Sequence, residues 1–279
     1  MSLLSDPLVQ RMLLVGVLVG VATPIVGTYL VQRRMSLLGD GIGHVALAGV
    51  AAGWLAGSAA DLVQRDALAV PGAIVFAVAA AVVMERMRAR GAAADVVLAV
   101  LFYGGIATGV LLISAAGGSS ANLLGYLFGS ISTVTWPDVW VTVALAGLII
   151  AAGLGLRPAL FAVTHDEEFA RASGLPVRLL TTLVAILAAV TITVAMRVVG
   201  VLLVSALMIL PVAIAQQLTH SFARTMGLAM AIGAALTLTG VGITLEHDLQ
   251  PGALIVVLGV LAYIAVSATT QIRAHRRKP

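Results

Sequence analysis

Nine stretches of 17 or more apolar residues with few charges, at 9–31, 38–57, 67–84, 93–114, 137–156, 177–196, 198–217, 226–245 and 252–270, leave this chain little choice of fold. About 20 apolar residues cross the hydrocarbon core of a bilayer. Within that core each backbone N–H and C=O needs a protein partner, which a helix supplies from its own turns. The spacing predicts an all-α, polytopic transmembrane helical bundle of about eight to nine membrane helices, forming one transmembrane domain over 1–279.

Composition then narrows the function. Only 10% of the residues are charged, against about 25% in globular domains. No length is left for a soluble catalytic domain, so any work must draw on a gradient or on another subunit. Cysteine is absent, which excludes disulfides, thiolate metal sites and cysteine nucleophiles. A soft metal would have to use His, Asp, Glu or Met. The net charge is +4, but the basic residues sit at the ends of apolar spans, where they act as orientation signals rather than as a nucleic-acid surface. The first apolar segment has no basic start or small-residue cleavage site, so no removable signal peptide is read.

Strict alternation of the spans groups Arg33, Arg34, Arg86, Arg88, Arg90, Arg157, Arg171, Arg178, Arg224, Arg273, Arg276, Arg277 and Lys278 on one side. Arg11, Arg65 and Arg197 fall on the other. Positive charge collects on the cytoplasmic face of membrane proteins. The expected orientation is therefore an outer N-terminus and an inner C-terminus.

Against this background, Gln32 to His44 stands out, because it brings Asp40 and His44 into an apolar span. On a helix their four-residue spacing stacks the side chains one turn apart on one face, within reach of a single cation. A plainer reading also exists: Asp40 caps the helix and His44 is a hydrogen-bonded packing residue. Burying Asp in a bilayer costs roughly 3 kcal/mol on insertion scales, which favours a functional use. Gly39, Gly41 and Gly43 in the first turn leave open a broken helix. Pro24 and Pro211 fall inside spans and are expected to kink them.

Three other stretches carry information. Residues 115–136, including Gly117-Gly118-Ser119-Ser120 and Asn122 to Ser130, are apolar but too short to span. A re-entrant half-helix and an interfacial helix are both open there. Residues 157–178 form the most polar internal loop and read as a short helix, with Thr164 as cap, Asp166, Glu167 and Glu168 in its first turn, Gly174 as terminator and Pro176 beyond. The loop is either a handle for a cytoplasmic partner or a solvated connector. Glu246-His247-Asp248 offers three potential metal contacts, but a solvated loop is the better reading there. Ala46, Gly49 and Gly53 on the second span predict close helix packing.

No P-loop, His-Glu-x-x-His or Gly-x-Ser-x-Gly motif occurs, so the chain itself is not expected to be an enzyme.

The run from Arg33-Arg34-Met35-Ser36-Leu37-Leu38-Gly39-Asp40-Gly41-Ile42-Gly43-His44 through Ala51 resembles the membrane permease of zinc/manganese ABC importers. Tyr126-Leu127-Phe128-Gly129, Asp166 to Val177, Met196 to Gly200 and Leu210-Pro211-Val212-Ala213 extend the likeness over the whole chain. The resemblance implies a homodimeric permease in a prokaryotic plasma membrane, coupled to a cytoplasmic ATPase subunit and served by an extracytoplasmic metal-binding protein. It implies that Asp40 and His44 touch the transported Zn²⁺ or Mn²⁺, with zinc slightly favoured and no stably bound cofactor. It further implies that Asp166, Glu167, Glu168, Phe169, Ala170 and Gly174 belong to the region gripped by the ATPase, and that Tyr126 to Gly129 lies near the outer mouth. Gly43 departs from the family, which often has Ser before the histidine. A proton-coupled secondary metal transporter and a non-transporting membrane scaffold are the alternatives from other classes; no internal repeat supports the former.

Overall fold

The structure is a computed structural model that describes residues 6–59, 68–115, 125, 127–129, 134–196, 199–247 and 249–275. The described residues form helices and no strand. In chain order these are α1 (Pro7–Gln32), α2 (Leu38–Ala59), α3 (Ala69–Ala89), α4 (Ala94–Ala115), α5 (Trp136–Gly155), α6 (Arg157–His165), α7 (Glu167–Ala172), α8 (Val177–Ala195), α9 (Val201–Leu218), α10 (Phe222–Thr244) and α11 (Pro251–His275). Eight of these are long and apolar enough to cross a membrane, with the shorter apolar α9 beside them. The chain is thus a multi-pass membrane protein, with helix ends within a few residues of the expected ones. The second helix is continuous across its glycines, and Pro24 and Pro211 lie inside continuous α1 and α9.

The layering follows the need to hide polar atoms and glycine backbone from lipid. Most of α1, α2 and α8 is buried, whereas α4, α5 and α11 carry exposed apolar faces that include Tyr103, Leu111, Trp140, Leu261 and Ile264. Buried hydroxyls bond back into their own helices: Thr23 to the Val19 carbonyl, Thr28 to Pro24, Thr191 to Leu187 and Thr193 to Ala189. Such back-bonds meet the demand that no polar group stay unpaired in hydrocarbon.

Small residues set the closest crossings, as the sequence predicts. A Cβ on Gly49 would fall 2.4 Å from the Gly72 carbonyl of α3, and one on Gly105 would fall 2.7 Å from the Val45 amide of α2. Likewise, Gly27 of α1 lies against the backbone of Met208 in α9. These contacts clamp α2 between α3, α4 and α9.

Most of the 115–136 segment lies outside the described residues, Tyr126 included, so neither of its two readings is resolved. Leu127, Phe128 and Gly129 are described and pass over the start of α9. Gly200 there has φ +88, and a Cβ on it would run into the Leu127 carbonyl and Phe128. Only glycine suits both the left-handed backbone and that space. In the Glu246-His247-Asp248 loop, Glu246 and His247 are exposed and Asp248 lies outside the described residues.

Candidate functional site in the membrane bundle

α1 closes with Arg34 in the left-handed region at φ 55, while the Met35 amide donates to the Leu30 carbonyl at 2.9 Å. This hydrogen-bonded turn reverses the chain within a few residues, so that α2 starts at Leu38 beside the interior. Asp40 is in the first turn of α2 and His44 follows one turn later on the same face. Gly39 of α2 lies against α9, where its Cβ would sit 3.1 Å from the Cβ of Ser205.

That close approach delivers a hydroxyl to the acid. Ser205 Oγ donates to Asp40 Oδ1 at 2.5 Å, within the short range of hydrogen bonds to carboxylates. Ser205 is buried and Asp40 half-buried. The side-chain carboxylate of Asp40 therefore bonds across to α9 instead of capping its own helix.

His44 is buried, 7% exposed. Its ring meets Phe102 of α4 edge-on, with centroids 4.5 Å apart. Nδ1 of His44 is buried and has no hydrogen-bond partner among the described residues. An orphaned buried nitrogen carries a desolvation cost of about 1–3 kcal/mol, which ligation of a cation would relieve. At Nδ1, therefore, His44 lacks the hydrogen bond that a satisfied packing histidine would make. Among the described residues no group of three or more His, Asp or Glu converges. The arrangement is an acid, an imidazole and a hydroxyl, suited to brief contact with a cation rather than to a closed structural site.

The sequence singles out Asp40 and His44 but not Ser205, whose position 165 residues further along the chain carries no local signal. Gly43, where a Ser had been the family expectation, faces α9 so closely that a Cβ would lie 3.2 Å from Val201 Cγ1. The hydroxyl near the site comes instead from Ser205 of α9.

Along α9 the site lies near the Val201 end. Ser205 stands 13 residues before Leu218, about 20 Å of helix rise. The Leu218 end of α9 leads to Phe222, which packs on Tyr29 and on Phe161 of α6.

That end holds the second cluster of polar residues. Asp166 caps α7, accepting from the Glu168 and Phe169 amides at 3.0 and 2.9 Å. Thr164, the cap expected from sequence, instead lies within α6 and donates back to the Leu160 carbonyl. Residues 157–165, read from sequence as part of the loop, form a helix of their own that takes in Thr164, so the cap falls to the next oxygen-bearing side chain. Gly174, at φ +78, ends the segment as predicted. Ala170 is buried, Glu168 is exposed, and Phe169 is 63% exposed despite its apolar ring. Beside α7, a cleft of about 580 Å³ is lined by Arg171, Leu175, Pro176, Val177, Arg178 and Leu179.

Glu167 turns back into the bundle. Its carboxylate accepts from Arg33 at 2.5 Å, and Arg33 also lies 3.8 Å from Glu85 of α3, which pairs with Arg88 at 3.2 Å. Arg33 is almost wholly buried, with a side chain 5% exposed. The ends of α1, α3 and α7 therefore meet at one end of the bundle, as the alternation of spans requires.

Fold and site together define a membrane-embedded transport protein: a helical bundle with a polar, unsatisfied interior site and an ordered polar segment at one end. The chain belongs to the ABC 3 transport family, whose model matches residues 5–270. Among its relatives is the manganese transport system membrane protein MntC of Listeria innocua, 30% identical over 94% of this chain and 90% of that protein. The manganese import system permease protein ScaB of Streptococcus gordonii is 28% identical over 91% of this chain and 88% of its own length. The solved structure of PsaBC from Streptococcus pneumoniae in complex with Fab aligns with a TM-score of 0.82 at 28% identity, covering 95% of this chain and 92% of that one.

Proposed function

We propose that this chain is the permease subunit of an ATP-driven importer of a divalent first-row metal, with Asp40 and His44 contacting the ion in transit. The observation that carries this reading is the buried, unpartnered Nδ1 of His44 one turn from Asp40 inside the bundle. The names of the relatives move the favoured metal from zinc to manganese. An imidazole and two oxygens also suit a metal on the harder side of the series. A weak site serves transport, since an ion must leave as readily as it enters.

The α6–α7 segment is the docking surface for a cytoplasmic ATPase subunit. Phe169 and Glu168 face outward and make the contact, Gly174 shapes the turn behind them, and Asp166, Glu167 and Ala170 fix the segment to the bundle. This orientation makes the α7 end cytoplasmic, in a prokaryotic plasma membrane. An extracytoplasmic metal-binding protein delivers the ion on the opposite side, and a second copy of the chain completes the pathway, with lipid against the outer helices.

Radiolabelled manganese and zinc uptake in importer-deficient cells co-expressing the chain with its ATPase and binding protein tests the reading. Uptake of a metal is expected to require ATP hydrolysis and to fall to background in D40N and H44Q at equal membrane abundance. Uptake that survives loss of ATPase activity but collapses with the proton gradient would assign the chain to the proton-coupled class. Full uptake in both variants would remove Asp40 and His44 from the path.

A further inference from the structure

We propose that Ser205 is a positioning residue for metal selection: it holds the Asp40 carboxylate in one rotamer beside His44 and thereby favours a hard, oxygen-seeking cation. The proposal rests on the importer reading above. Three observations carry it.

Ser205 differs from most of the buried threonines of the bundle. Thr23, Thr28, Thr191 and Thr193 each donate to the carbonyl four residues back in their own helix, the ordinary resolution for a hydroxyl in an apolar helix. Ser205 spends its only proton across the helix interface on Asp40.

The interface is built for that contact. Gly39 precedes Asp40, and a Cβ there would come 3.1 Å from the Cβ of Ser205. A larger residue at 39 would push α9 away and stretch the bond. Ser205 is itself anchored one turn from the Gly200 corner, whose φ of +88 and tight fit against Leu127 and Phe128 fix where α9 begins.

The hydrogen bond leaves a defined donor set. Once Oδ1 accepts from Ser205, the described residues give Asp40 no second hydrogen bond, so Oδ2 remains for the ion. Ser205 Oγ, having donated, keeps its lone pairs. With the free Nδ1 of His44 the ion meets one imidazole and an oxygen-rich face. Mn²⁺ depends on the oxygens, whereas Zn²⁺ takes imidazole as well as oxygen. Groups that orient a ligand typically change metal affinity or activity by 10–100-fold when removed. Loss of the Ser205 hydroxyl should therefore weaken manganese handling more than zinc handling.

Initial rates of manganese and zinc uptake, in cells expressing the full chain with its ATPase and binding protein, provide the test. At equal membrane abundance S205A is expected to lower manganese uptake roughly tenfold and zinc uptake less, while S205T, which keeps the hydroxyl, restores the wild-type ratio of the two metals. S205C, similar in size with a weaker donor, is read the same way if S205A fails to accumulate. Wild-type rates for both metals in S205A, with D40N inactive, would overturn the role of Ser205 and leave the importer intact. An equal fall for both metals that S205T does not correct would overturn it too, as a packing effect. A wild-type chain that takes up neither metal would refute the importer reading and the role together.

Discussion

Replacing Arg33 with Gln removes the hub of the polar cluster that fastens α7 to the bundle. Arg33 is 5% exposed and serves both Glu167 and Glu85. Removing one partner of a fully buried ion pair costs about 3–5 kcal/mol, because a charge is left stranded. Here both acids have relief. Glu167 is 44% exposed and returns to water, which limits its share to the surface-pair range of about 0–1 kcal/mol. Glu85, 11% exposed, keeps Arg88 at 3.2 Å. What remains is one largely buried ion pair at 3.8 Å, too long for a hydrogen bond and on the order of 2 kcal/mol, between the surface and fully buried limits. For a chain of this size that corresponds to a fall in Tm of about 3–4 °C. Glu167→Gln should shift Tm by less than about 2 °C, since Arg33 retains Glu85 and the lost partner was half in water. Thermal unfolding of the purified permease in one detergent, followed by intrinsic tryptophan fluorescence, reads both variants. A larger shift for Glu167→Gln than for Arg33→Gln would refute the assignment of Arg33 as the hub.

Other substitutions probe separate links. Gly105→Ala puts a Cβ 2.7 Å from the Val45 amide and 2.8 Å from the His44 carbonyl carbon; overpacking of about 1–3 kcal/mol is expected, with loss of metal uptake as α4 moves off His44. Its neighbour Gly104 has open space where a Cβ would go, so Gly104→Ala should leave uptake unchanged and Tm equal or higher. Phe169→Ala should leave Tm unchanged, because the ring is 63% exposed, yet lower co-purification of the ATPase and the uptake that depends on it. Asp166→Ala removes a cap that accepts two amides; a loss of about 1 kcal/mol localised to α7 should show as faster amide exchange there.

Much of this molecule was legible in its sequence because a membrane restricts the options so severely. Each apolar run became a helix, and Asp40 and His44, four apart, were bound to share a face once α2 was helical. The tight crossings at Gly49 and Gly53 were legible for the same reason, since small residues matter where lipid supplies no hydrophobic driving force. What escaped was set by contacts between distant segments. Ser205 meets Asp40 only because Gly39 admits α9, and Glu85 and Glu167 meet only through Arg33. Neither pairing leaves a local pattern. The Thr164 cap was misplaced because two oxygen-bearing side chains, Thr164 and Asp166, lie two residues apart and both suit an N-cap; the length of α6 decided between them.

Pulsed electron paramagnetic resonance of Mn²⁺ added to the purified permease and ATPase complex tests the central claim most directly, because nitrogen ligation modulates the manganese echo. Ligation by His44 predicts a ¹⁴N modulation in the wild type that disappears in H44Q, with bound manganese lost in D40N. The same ¹⁴N modulation and the same bound manganese in both variants would contradict a metal path through Asp40 and His44.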